Sequence, residues 1–172
     1  MNNNKQTTEI SASYLRNFVF GVEDSLVSTA GLLSGIAITG MPRNSIFVAG
    51  IVLIFVEAFS MAVGSFLSER SAAEYIEKKE ASASDSVLDG IIMFVSYFFS
   101  GFIPLAPYII MNIDGAFWFS IIFSLVALFL LGIIGAKISG SNILKSGMRM
   151  AVIGGVAIAL GVMVGRLVNN LS

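Results

Sequence analysis

The chain contains no cysteine and no histidine. Without them it can build no disulfide, no thiolate or imidazole metal site, and no nucleophile activated by a histidine base. Any chemistry must come from carboxylates, hydroxyls, thioethers and backbone groups. Charge is also scarce. Asp, Glu, Lys and Arg make up 12% of the 172 residues, against roughly 25% in a soluble domain. The net charge of -1 offers no basic face, so nucleic acid is not an expected partner. No secretory leader is expected either: residues 1–16 are polar, with no short apolar core followed by a small-residue cleavage site. They read as a frayed cytosolic tail that enters an interfacial turn at Tyr14, Leu15 and Arg16.

What the chain has in excess is apolar surface. Apolar residues make up 56% of it, and its mean hydropathy is +0.88. A soluble protein of this size could not hide that much apolar area in one core, so the expected solvent is the lipid bilayer. Crossing ~30 Å of hydrocarbon takes roughly 20 apolar residues in a helix. Five stretches qualify, at about residues 18–39, 46–67, 87–110, 116–136 and 148–168. The fold class is therefore all-α, a single five-helix transmembrane domain over residues 1–172 with a short loop at 68–86. GMPRN (40–44), MNIDG (111–115) and SGSN (139–142) read as turns.

Basic residues orient the bundle. With the N-terminus inside, Lys5, Arg16, Arg70, Lys78, Lys79, Lys137, Lys145 and Arg149 are cytoplasmic and only Arg43 and Arg166 lie opposite. The N-terminus is thus expected in the cytoplasm and the C-terminus outside. Trp118 falls where an interfacial aromatic belongs. The fourth helix reads as apolar all round. Ala157, Gly161 and Gly165 of the fifth form a small-residue packing face. Pro104 and Pro107 are expected to break the third helix near its outer end, where freed carbonyls either line a cavity or accompany a kink.

Charges inside the hydrocarbon are the informative anomaly, because each costs roughly 2.5–3.5 kcal/mol to insert. Glu23 and Asp24 lie in the first helix and Glu57 in the second, with no Lys or Arg in either span. A bound cation or a proton is the natural counter-charge. Asp24 lies about 9 Å in from Phe18 along the helix axis, Met61 is at a similar depth in the antiparallel second helix, and Glu57 is about one turn deeper. Glu57 and Met61 share a face flanked by Ser60 and Gly64. Asn17, Gly21, Asp24, Ser28 and Gly31 form a polar and small stripe on the first helix. Carboxylates with a thioether suit a borderline divalent ion such as Fe²⁺ or Mn²⁺. The bland readings are that Met61 only fills space, that Glu23, about 100° around from Asp24, turns back to the interface, and that Asp89 complements the dipole at the start of the third helix.

FVFGVEDSLVSTAGLLSGIA (18–37), EAFSMAVGSFLSERS (57–71) and SGMRMAVIGGVAIALGVMVGRL (146–167) resemble the first, second and fifth helices of the vacuolar iron transporter family. The resemblance implies a homodimer with its ion path at the two-fold interface, and proton-coupled movement of Fe²⁺, often Mn²⁺, out of the cytosol. It puts the family's first-helix acid at Asp24 and its second-helix methionine at Met61, and Glu57 matches an acid of the EAxSM pattern. Asp24-Ser25 replaces the family's usual Asp-Gly, and residues 68–86 replace a long helical metal-binding insert. Glu69, Glu74 and Glu77 in this segment either recruit metal or belong to a solvated helix extension, with Glu74–Lys78 as an i,i+4 pair.

The expected activity is divalent-metal transport by proton antiport. Asp24, Glu57 and Met61 would be metal ligands, and Glu23, Ser28 and Ser60 would line the path. No resident cofactor and no enzymatic chemistry are expected. The partners are a second copy, the lipid bilayer and the transported ion. The expected membrane is a prokaryotic plasma membrane, with a vacuolar or other endomembrane as the alternative. The rival reading is a scaffold without transport, whose polar stripes only glue helices together.

Overall fold

Lipid cannot hydrogen-bond a backbone, so a chain this apolar satisfies its peptide groups internally. The computed structural model describes residues 2–77 and 83–171, with side chains over 11–76 and 86–171. Five helices fill it: α1 (Asn2–Ala37), α2 (Arg43–Glu77), α3 (Ala83–Ile110), α4 (Ile113–Ser139) and α5 (Ile143–Leu171). Each is long and apolar enough to span a membrane, and no strand occurs among the described residues. The protein is an integral membrane protein.

The expected turns fall where the chemistry puts them. Gly40, at φ 75°, takes the left-handed conformation that ends α1. The Pro42 carbonyl then accepts from the amides of Ser45 and Ile46, opening α2. Asn112 caps α4 by accepting from the Gly115 amide at 3.1 Å. Gly140, at φ 66°, closes that helix, and Asn142 caps α5 through the Lys145 amide.

Helix ends differ from the hydropathy limits. There is no turn at Tyr14, Leu15 and Arg16, because α1 runs through them from Asn2. α2 continues ten residues past Leu67 to Glu77. Hydropathy marks where hydrocarbon ends, whereas Ser, Glu, Arg and Ala continue a helix readily in water. Lys78 and Lys79, and the side chains of Lys5 and Glu77, lie outside the described residues.

α3 is not broken at its prolines, since both are fully buried within a helix that reaches Ile110. Near its end the carbonyl of Tyr108 accepts from Nε of Arg43 at 2.6 Å, an external donor for an orphaned helix-terminal acceptor.

α1 is the most enclosed helix, with half of its apolar window buried. Its Gly31 and Gly35 interlock with Gly161 and Gly165 of α5: a Cβ on Gly35 would stand 2.7 Å from the Gly161 carbonyl, and one on Gly161 would stand 2.6 Å from that of Gly31. The small-residue face of α5 is thus a packing face. α4 is not uniformly apolar in context. It buries Ala116, Ser120, Ser124, Leu128, Gly132 and Ala136, a stripe at spacing four that is small except at Leu128. α2 packs mainly on α3 and touches α1 only lightly, which leaves a loose α1–α2 seam.

Candidate functional site

The polar stripe of α1 is mostly occupied inside the protomer. Nδ2 of Asn17 donates to Oδ1 of Asp89 at 2.6 Å. Gly21 lets Met93 and Ser96 of α3 approach. Ser25 donates to the Tyr97 carbonyl at 2.6 Å, Ser28 shares a 2.7 Å bond with the Tyr97 hydroxyl, and Gly31 packs on α5. Asp24 is the exception. Among the described residues it has no hydrogen bond or ion pair, and neither has Glu57.

These two carboxylates lie on either side of the loose α1–α2 seam. Leu33 against Gly50 and Arg16 against Glu69 set the antiparallel register of α1 and α2. Asp24 thereby falls opposite residues 59–61, with Glu57 slightly deeper. Ser28, one helical turn along α1 from Asp24, bonds the Tyr97 hydroxyl and so brings that phenol to the Asp24 face of α1. The site is therefore two unpaired carboxylates beside a Ser28–Tyr97 hydroxyl pair. Among the described residues no group of three or more acids that could hold a metal ion occurs.

Glu57 also opens outward. It lines a groove with Leu32, Ile36, Val52 and Val56, and Ser28 lines the neighbouring groove between α1, α2 and α5. Met61 is half-buried and Ser60 exposed on the same side. Gly64 has nothing within 4 Å of where its Cβ would be.

The remaining candidates lie elsewhere. Glu23 faces away from the pair, into a cavity of about 320 Å³ shared with Ser139, Ser141, Ser146 and Arg149. Glu69 is bridged to Arg16, and Glu74 accepts from Nε of Arg70 at 2.8 Å. Both acids thus sit in arginine pairs, and the expected Glu74–Lys78 pair involves Lys78, which lies outside the described residues. The Glu77 side chain is outside the described residues.

Asp89 does not sit at a helix start. α3 begins at Ala83, and Asp89 lies buried well inside it, accepting from Ser13 at 2.9 Å as well as from Asn17. Sequence reasoning passed over Tyr97. Its signal was the topology: α1 and α3 run parallel, and Asn17–Asp89 and Ser25–Tyr97 have the same separation of 72 residues. Sliding α3 along α1 at that offset puts Tyr97 at the depth of Asp24.

The profile of the VIT family matches residues 15–89 and 79–166. An uncharacterised protein of Methanocaldococcus jannaschii is 25% identical over 163 residues, covering 84% of each chain. "Vacuolar iron transporter homolog 1" of Oryza sativa subsp. japonica is 27% identical over 172 residues, covering 87% of this chain and 71% of the rice protein.

Proposed function

The chain belongs to the VIT family, and from that premise we propose that it carries a divalent metal ion, Fe²⁺ or Mn²⁺, out of the cytosol in exchange for protons. One observation carries the reading: Asp24 on α1 and Glu57 on α2 lie at matched depth in neighbouring spans, with no cationic or hydrogen-bonding partner among the described residues. Each such charge costs roughly 2.5–3.5 kcal/mol. A divalent cation offsets that cost in one state of the cycle and protons offset it in another. Such an alternation couples the two fluxes. The Ser28–Tyr97 pair places hydroxyl oxygens beside the carboxylates, hard donors suited to Mn²⁺ or Fe²⁺, while Met61 adds a softer thioether from the same face of α2 as Glu57.

We take the working unit to be a two-fold dimer. Two carboxylates bind a divalent ion weakly by themselves, and Glu57 lies on an open apolar face. A second copy on that face would bring another pair to the axis and enclose the path. The exposed side chains of Val48, Val52, Phe55, Val56 and Phe59 on α2 support this reading. A prokaryotic plasma membrane is the proposed setting, with an endomembrane as the alternative.

The scaffold reading has one observation in its favour, since Asn17, Ser25 and Ser28 do hold helices together. It leaves Asp24 and Glu57 unexplained. The test is pH-gradient-driven Fe²⁺ and Mn²⁺ flux in proteoliposomes, with wild type and Asp24→Asn side by side. Loss of flux in a folded variant supports transport through this site. Equal flux in the two proteins refutes it.

A further inference from the structure

A second cavity, of about 470 Å³, lies between α4 and α5, against the end of α1, where α4 begins and α5 finishes. Its mouth carries Asp114, Trp118 and Arg166. Asp114 and Arg166 are exposed and, among the described residues, have no ion-pair partner. Below the mouth the lining is apolar: Phe117, Ile121 and Leu125 from α4, Ile158 and Val162 from α5. Gly155 and Ala159 keep the trough open, since a Cβ on Gly155 would meet only Leu125, at 3.2 Å.

The dimensions match one leaflet. Asp114 to Leu125 on α4, and Arg166 to Gly155 on α5, each span about 16 Å at 1.5 Å per residue. Half of a bilayer's hydrocarbon is about 15 Å. Trp118, with 63% of its surface exposed, stands at the mouth as an interfacial aromatic does. The mouth holds one charge of each sign within a single opening, above an apolar trough one leaflet long.

We propose that this groove binds one zwitterionic phospholipid with a primary amine, its acyl chain along the trough, its phosphate on Arg166 and its ammonium on Asp114. A free anion would leave the trough without a function, and an anionic lipid would leave Asp114 opposed. A quaternary ammonium has no N–H to donate to the carboxylate. The headgroup preference follows from these pairings.

The experiment is native mass spectrometry of the delipidated full-length protein in detergent. Phosphatidylethanolamine, phosphatidylcholine and phosphatidylglycerol with identical chains are titrated in. The wild type is expected to take up one tightly held phosphatidylethanolamine per chain, several-fold ahead of the other two. Asp114→Asn should remove the preference over phosphatidylcholine and phosphatidylglycerol, and Arg166→Gln should weaken all three lipids. Ala159→Phe, which fills the trough from an exposed position, should abolish the tight lipid. If Ala159→Phe does not fold, the two surface variants decide alone. Equal binding of the three lipids by the wild type, or a preference unchanged in both charge variants, overturns the proposal.

Discussion

Nδ2 of Asn17 lies 2.6 Å from Oδ1 of Asp89, joining two polar side chains buried between α1 and α3. With Ser25 bonded to the Tyr97 carbonyl at the same sequence separation, this contact fixes the parallel register of the two helices. That register in turn brings Ser28 and Tyr97 beside Asp24.

Removing the donor should therefore cost stability. Among the described residues, Asn17→Ala leaves Asp89 with Ser13 as its remaining donor, and an under-satisfied buried acceptor costs about 1–3 kcal/mol. Thermal unfolding in mild detergent should show a clear loss for Asn17→Ala and a smaller one for Ser13→Ala, whose bond is only part-buried. An unchanged melting curve for Asn17→Ala would remove the register argument.

The carboxylate pair should behave in the opposite way. Asp24→Asn and Glu57→Gln keep size and hydrogen-bonding capacity but remove charge, relieving a desolvation cost of a few kcal/mol. Each should abolish metal flux while leaving unfolding as cooperative as in the wild type, at an equal or higher temperature. Met61→Leu, close in volume, should fold normally and weaken Fe²⁺ relative to Mn²⁺ in competition assays. A scaffold would show loss of stability in the acid variants and no metal dependence in any of them.

Assembly can be mapped with single cysteines, because the natural chain has none. The polar stripe of α1 would suggest cross-links along residues 17–28, but Asn17, Gly21 and Ser25 are turned into the protomer. The open face of α2 is the better candidate. Cysteines replacing Ser60 or Gly64 should form inter-protomer disulfides in membranes, whereas one replacing Ser25 should not. Efficient cross-linking at Ser25 with none at Ser60 and Gly64 would place the interface elsewhere.

The α1–α5 contact should tolerate no side chain where the two backbones cross. Gly161→Leu would drive atoms into the Gly31 backbone, which stands 2.6 Å from the first added carbon. Overpacking of this kind costs about 1–3 kcal/mol or more. Gly135→Leu, at a position with nothing within 4 Å, is the matched control. Melting temperature should fall for the first and barely move for the second.

Orientation rests on the basic residues. A reporter fused after Ser172 should read as external and one inserted within residues 68–86 as cytoplasmic. The reverse pattern would turn the bundle over and reverse the direction of transport proposed above.

The sequence by itself determined the number of spans, the turns between them and the identity of the anomalous carboxylates. Those are decided by local quantities: the free energy of putting each side chain into hydrocarbon, and the backbone demands of Gly40, Pro42, Asn112 and Gly140. The limits of the helices were less legible. Ser68 to Glu77 on α2 is polar and helical at once, and hydropathy reads only the first property. What only the tertiary structure decided is which polar group meets which. Asp89 looked like a dipole-complementing acid because its donors, Ser13 and Asn17, come from another helix. Tyr97 drew no notice because a tyrosine among phenylalanines gives no periodic signal of its own. Glu23 and Asp24, neighbours in the chain, were separated by the 100° turn between successive helical residues, so that one faces Glu57 and the other the cavity containing Arg149. Interhelical register and rotation are set by close packing, through contacts such as Gly161 on Gly31 and Gly90 on Ala62. These depend on shape across residues far apart in sequence, and no window along the chain contains them.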